Sequence, residues 1–233
     1  MTIPRYTAIK EHIIRRVDTA LWKAGDRVPS ENELAAEFSV SRMTARRALA
    51  ELGEQGVLVR TQGLGSFVAD ARPMSSMLQI HSIDSEINAR GNQHSAEVLT
   101  LEEIKADNSS AGLLGVSNNE LIFHSILLHS ENGKPLQYEE RYVNPRFGPE
   151  YLDQDFTAIT PSTFLSGISP LTEASQAIEA VCVNAGVADV LQISINEPCL
   201  KLSRRTWCKR GIVTIATLIY PGSRYRLGGH LNF

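Results

Sequence analysis

No stretch of this 233-residue chain approaches the roughly 18 consecutive apolar residues of a membrane span, and its first residues lack a signal-peptide apolar core. Cysteine is scarce. Cys182, Cys199 and Cys208 are odd in number, far apart and outside C-x-x-C spacing, which argues against a disulfide framework or a zinc knuckle. Reduced thiols in a cytoplasm fit instead. A G-x-S-x-G elbow, metal-ligand spacing and a phosphate-binding loop are all missing, so no catalytic residue, metal or cofactor is expected. Internal repeats and low-complexity tracts are absent as well. A strong charge of one sign is also lacking, at a net −3, but that total hides an asymmetry. Residues 1–72 carry 11 Lys and Arg against 9 Asp and Glu, and the remainder carries 12 against 17. A mildly basic head on an acidic body leaves nucleic acid open as a partner of the head.

What the chain does have begins with helix punctuation. Ile9, Ile13 and Val17 recur at helical spacing and predict a first helix over about residues 6–20. Ser30 with Glu33 three residues later forms a capping box, opening a second helix with Leu34, Ala35 and Phe38 on its apolar stripe. Ser41 caps a third helix whose buried face is expected to be Ala45, Ala48, Leu49 and Leu52, and Gly56 stops it. Two short strands, 57–60 and 66–69, flank "TQGLG", whose glycines suit a hairpin tip.

Residues 71–77, polar and holding Pro73, read as a linker between an N-terminal domain (1–70) and a C-terminal one (78–233). Beyond it a short helix ends at Gly91. Strands are then expected at 95–104, 121–130, 135–143, 171–183, 199–208 and 212–220, with helices near 108–116, 161–166 and 185–193. Asn132-Gly133 is a strong hairpin signal. The fold class is therefore α+β, with an antiparallel sheet and a few helices in the second domain.

Three helices, a tight turn between the second and third, and a terminal hairpin describe a winged helix-turn-helix. Its third helix fits the major groove of double-stranded DNA, with the first residues of that helix at the base edges. Arg42, Thr44 and Arg46 stand there. Arginine can donate two hydrogen bonds to guanine, worth about 1–3 kcal/mol of discrimination, and Thr44 can touch a thymine methyl or a phosphate. Arg47 lies about 100° further round the helix and points to the backbone. Gly63 and Gly65 let the wing approach the duplex, where Gln62 can make contact. A charged helix face is more commonly plain solvated surface; the caps, the turn and the hairpin together favour DNA.

The stretch "VPSENELAAEFSVSRMTARRALAELGEQGVLVRTQGLGSFVA" resembles the DNA-binding domain of the GntR family of bacterial regulators. Two departures stand out: Asn32 occupies a position usually held by Arg, and Ser39 one usually held by Gly. A left-handed Ser39 costs about 1 kcal/mol, which the fold can absorb. The remainder resembles the effector-binding (UTRA) domain of the HutC subfamily, with its chorismate-lyase-like fold, through "EINARGNQHSAEVL", "IFHSILLHSENGKPLQYEERYVNP", "YLDQDFT", "SPLTEA", "LSRRTW" and "LIYPGSRYRL". The resemblance implies a homodimeric repressor of histidine-degradation genes that binds an inverted-repeat operator. It also implies release by urocanate, a flat molecule with a carboxylate and an imidazole. A repressor answering formiminoglutamate or an amino-sugar phosphate, and a lyase-like enzyme, are the alternatives.

Candidate effector residues follow from both sources. Ser82 opens a helix whose free N–H groups favour an anion, and Asp84 either cancels that site or accepts an imidazole N–H. Sugar-phosphate-sensing relatives place arginines where Leu127 and His129 stand, so the resemblance weakens a phosphosugar reading. His129 and Arg141 remain, Arg141 as a bidentate carboxylate grip or, instead, as a partner of Glu139 on its own strand. Thr214, Tyr220 and Phe164 match ligand-contacting positions of the relatives, Phe164 as a flat wall. Arg204, Arg205 and Glu173 are read as surface or interface charges.

Overall fold

The computed structural model describes residues 5–61, 64–70 and 82–228, and the backbone of 74–76. The chain divides into two compact units, Met1–Arg72 and Pro73–Phe233.

In the first unit, α1 (Arg5–Asp18), α2 (Glu31–Glu37) and α3 (Arg42–Glu54) are followed by the antiparallel pair β1 (Leu58–Thr61) and β2 (Gly65–Val68). The N-terminus of α2 is fixed by a reciprocal box: Ser30 Oγ accepts from Glu33 N, and Glu33 Oε2 accepts from Ser30 N at 2.7 Å. Ser41 Oγ caps α3 by accepting from Thr44 N at 3.2 Å. Between these helices Ser39 takes a left-handed φ of +50°, the conformation expected of it. Ile9, Ile13, Val28, Leu34, Ala45, Ala48, Leu52, Leu58 and Val68 form one buried core, with Leu49 partly buried at its edge. The three helices are short, and it is this shared core that holds them together.

The second unit is built on a six-stranded antiparallel sheet in the order β4-β5-β6-β9-β8-β7. Its strands are β4 (His94–Lys105), β5 (Leu121–Glu131), β6 (Lys134–Val143), β7 (Glu173–Val181), β8 (Cys199–Cys208) and β9 (Gly211–Pro221). Asn132 and Gly133, at φ +50° and +76°, turn β5 into β6 as a two-residue hairpin. Four short helices accompany the sheet: α4 (Ile83–Ala89), α5 (Asn108–Leu114), α6 (Pro161–Ile168) and α7 (Ala185–Val190). Two faces result. On one, Ile83 and Ile87 of α4 pack with Leu202, Leu218 and Tyr220, while Phe164 and Leu165 of α6 pack with Phe123, Leu127, Tyr151 and Phe156. On the other, α5 covers Ile122 and Ile215, and His124 lies between Glu102 and Glu140 at 3.2 and 3.1 Å.

One expectation needs correction. Within the residues 71–77 read as linker, Met74–Ser76 forms β3, paired in parallel with β10 (Arg226–Gly228). Its hydrogen bonds come from a strand some 150 residues away, and a three-residue segment has too little alternation to announce them.

Candidate DNA-binding surface and effector site

The first surface is the N-terminal end of α3. Arg42 is well exposed, and its Nε donates to Glu31 Oε2 at 2.9 Å. Arg60 on β1 reaches the same carboxylate, Nη2 to Oε1, at 3.4 Å. Glu31 thus ties the third helix to the wing strand, and a groove of about 390 Å³ lined by Glu31, Asn32, Arg42 and Arg60 lies between them. Arg46 is exposed and has no partner among the described residues. Arg47 turns away: its Nε bonds Glu51 Oε1 at 2.9 Å, and its guanidinium sits 4.2 Å over the Tyr6 ring of α1. Thr44 is half-buried, with its hydroxyl 2.8 Å from Ser41 Oγ, so the cap occupies the hydroxyl. At the wing, Gly65 holds a φ of +116°, which a side chain would rarely adopt, and a Cβ there would meet Arg27 Nε at 3.4 Å. Gln62 and Gly63 lie outside the described residues. Arg60 and the exposed Met43 complete the surface; neither stands out in the sequence, Arg60 because Glu31 is 29 residues away.

The second site lies on the α4/α6 face of the sheet. Alternation along β6 puts Gln137, Glu139 and Arg141 on that face, and cross-strand register brings His129 beside Gln137 and Ser125 beside Arg141. On β9, Thr214, Ala216, Leu218 and Tyr220 follow the same alternation. All of these polar side chains are buried. Arg141 Nε donates to Glu139 Oε1 at 2.7 Å, and Nη1 to Thr214 Oγ1 at 3.4 Å. Burial drives the Glu139 carboxyl upward, but Arg141 and then His129 outweigh it and hold the pKa well below the carboxylate range. Burial works against the Arg141 charge too, and Glu139 more than restores it.

His129 is the unbalanced member. Its Nδ1 is 3.1 Å from His94 Nε2, so one of those nitrogens carries the shared proton. Its Nε2 is fully buried and faces Glu139 Oε2 at 3.6 Å, near enough to act on the carboxylate by charge but too long for a hydrogen bond. Burial, then His129, push the His94 pKa below its usual 6.5, against the pull of Asp84. Tyr220 accepts a short hydrogen bond from Gln137 Nε2 and stacks on Tyr225 at 4.1 Å.

Of the sequence-derived residues, His129, Arg141, Thr214 and Tyr220 thus share one face. For Arg141 the structure shows the second of the two roles read from the sequence, and Ser82, Asp84 and Phe164 are each engaged elsewhere. Arg141 is not a free carboxylate grip, because Glu139 holds it. Ser82 does not make an anion site: its hydroxyl bonds Ser85, α4 has only seven residues, and Asp84 and Glu86 in its first turn oppose an anion. Asp84 instead accepts from Thr160 Oγ1 at 3.3 Å. Phe164 sits in an aromatic core, 6.2 Å from both Tyr151 and Phe156, and is 9% exposed. Tyr151, which sequence reasoning passed over, links that core to the polar row through a 2.7 Å bond to Ser125. His94 and Gln137 were missed as well, since both needed the strand register.

Comparison with known proteins gives a consistent result. Residues 5–68 match the gntR family of bacterial regulatory proteins, and residues 89–226 match the UTRA domain. The chain is 47% identical to the histidine utilization repressor of Klebsiella aerogenes, over 98% of this chain and 95% of that protein. It is similar to the C-terminal domain of the histidine utilization repressor from Pseudomonas syringae pv. tomato, with 43% identity and a TM-score of 0.59, covering 60% of this chain and all of that one. PhnF from Mycobacterium smegmatis, 22% identical, shares the fold over 96% of this chain and 98% of its own at a TM-score of 0.70. A winged helix-turn-helix followed by an effector-domain sheet, matched along almost the whole sequence, means that the chain belongs to the GntR family of bacterial regulatory proteins, with a UTRA domain as its second unit.

Proposed function

We propose that this chain is a cytoplasmic, non-enzymatic repressor of histidine-degradation genes, released from its operator by urocanate. Its similarity to histidine utilization repressors supports the gene class. The observation that carries the ligand reading is the orphaned His129 Nε2, buried beside the Glu139 carboxylate. Buried polar groups without partners are rare and costly, and a ligand that supplies one removes the cost. An imidazole presents both a donor and an acceptor. It can give an N–H to Glu139 Oε2 and meet His129 Nε2 at the same end. Histidine carries an additional ammonium, which this face would bury beside Arg141 without a counter-charge.

One recognition helix covers one half-site, so an inverted-repeat operator calls for a two-fold protein, and we take the active form to be a homodimer. Complete switching from 1:99 to 99:1 takes about 10⁴-fold preference for the released state. Two ligands per dimer reach it with about 100-fold each.

Thermal melting of the full chain tests the effector. Urocanate should raise the melting temperature at concentrations where histidine, formiminoglutamate and glucosamine 6-phosphate do not, because a ligand specific to the folded state stabilises it. A shift with one of the other three and none with urocanate would replace the proposed effector.

A further inference from the structure

The sequence reads Arg204 as a surface or interface charge; strand register places it on the effector face, where it is half-buried. Leu202 and Thr206, two residues to either side on β8, are buried there. Arg204 pairs with Ala216, and Ala216 pairs with Arg141. The two arginines therefore stand two strands apart, about 10 Å between Cα atoms, with Ala216 on the strand between them.

Their partners differ. Arg141 is neutralised by Glu139 at 2.7 Å. Arg204 Nε donates to the neutral amide oxygen of Gln176 at 3.1 Å, and among the described residues no carboxylate pairs with Arg204. Glu139 and Arg141 cancel within the strands, so the guanidinium of Arg204 has no carboxylate of its own there, and Glu86 of α4 is the further carboxylate whose charge acts on it. Burial pulls the Arg204 pKa below its ordinary value, helped by the Arg141 charge and opposed by Tyr220, Glu139 and Glu86. A cation so placed costs stability in the empty protein, and an anion seated against it would remove that cost. Glu139 and His129, the groups suited to a ring N–H, lie across the sheet from Arg204. Glu139 is two strands and two residues away, about 12 Å between Cα atoms, leaving a short span between the facing side chains.

We propose that Arg204 is the anchor for the effector's carboxylate, held above Ala216, with the ring of the ligand directed toward Glu139 and His129. This assignment rests on the urocanate reading above and replaces Arg141 as the carboxylate partner. Arg141 then keeps Glu139 ionised as an acceptor. The guanidinium offers a fork of N–H donors matched to a carboxylate, which lysine cannot reproduce.

Calorimetry on the full chain compares urocanate with its neutral amide. Arg204→Gln should weaken urocanate binding about 100-fold, the scale of a lost charged bidentate contact, and change amide binding less than about 3-fold. Arg204→Lys should retain part of the preference for urocanate over the amide. In the absence of ligand, Arg204→Gln should melt above wild type, because a desolvated cation with no carboxylate paired to it has been removed. The anchor is overturned if Arg204→Gln binds urocanate as wild type does, if it loses both ligands equally, or if the ligand-free variant melts lower. Wild type that binds neither ligand overturns the urocanate reading and the anchor together. Wild-type binding that survives in Arg204→Gln overturns the anchor alone.

Discussion

In the first unit the charges at the DNA-binding end lie at the surface: Arg42 and Arg60 share the Glu31 carboxylate, Arg47 holds Glu51, and Arg46 is unpaired among the described residues. In the second unit they lie on a buried sheet face, where Arg141 and Glu139 are each under 5% exposed and hold one another at 2.7 Å. The same residue types do different work. An exposed guanidinium keeps its hydration and exchanges it for phosphate or base at little cost, so the head can bind and leave DNA. A buried one has already lost its water, so its energy depends wholly on what faces it. The head is a contact surface, and the body holds its charges against one another.

The largest effect that would sharpen this contrast comes from Glu139→Ala. It leaves Arg141 buried without its partner and should destabilise the second unit by about 3–5 kcal/mol in urea or thermal unfolding. A loss below about 1 kcal/mol would mean that the buried pair is not what sets the balance. Arg42→Ala and Arg46→Ala should each cost about 1–3 kcal/mol of operator discrimination in competition binding while leaving melting unchanged, because both are exposed. Arg47→Ala should instead weaken all DNA about equally and lower the salt slope by about 1, as a phosphate contact does. Wild-type discrimination by the Arg42 variant would contradict the docking of α3. Smaller again, Ser30→Ala should cost the first unit about 1 kcal/mol through loss of the cap, read in its urea midpoint.

The smallest effect is the dependence on pH. His94 has a folded-state pKa below its unfolded 6.5, so the unfolded chain binds more protons in that window. Stability of the second unit should be full above pH 6.5 and fall as pH drops through it. His94→Gln should flatten that part of the profile; an unchanged slope in the variant would assign it to another group.

The two regions also differ in how far the sequence revealed them. Ser30, Glu33, Ser41 and Asn132-Gly133 act within a few residues of themselves, so each element boundary they govern was legible. The strands of the sheet were legible from alternation for the same reason. The partners of β3 and β10 were not, since three residues carry almost no periodic signal and the pairing spans most of the second unit. The face taken by Arg204 was not legible for a related cause. In "LSRRTW" both faces of the strand alternate apolar with polar, Leu202-Arg204-Thr206 against Ser203-Arg205-Trp207, so the inward set cannot be chosen without the neighbouring strands. Glu31 shows the same limit in the head, where its two arginines lie 11 and 29 residues away.

Release from DNA tests the central claim most directly. Fluorescence anisotropy of a labelled inverted-repeat operator, titrated with the full chain at fixed ionic strength, should show tight specific binding that urocanate weakens by about 100-fold or more at saturation. Histidine at the same concentration should leave the curve in place. Operator affinity that is identical with and without saturating urocanate would contradict the account.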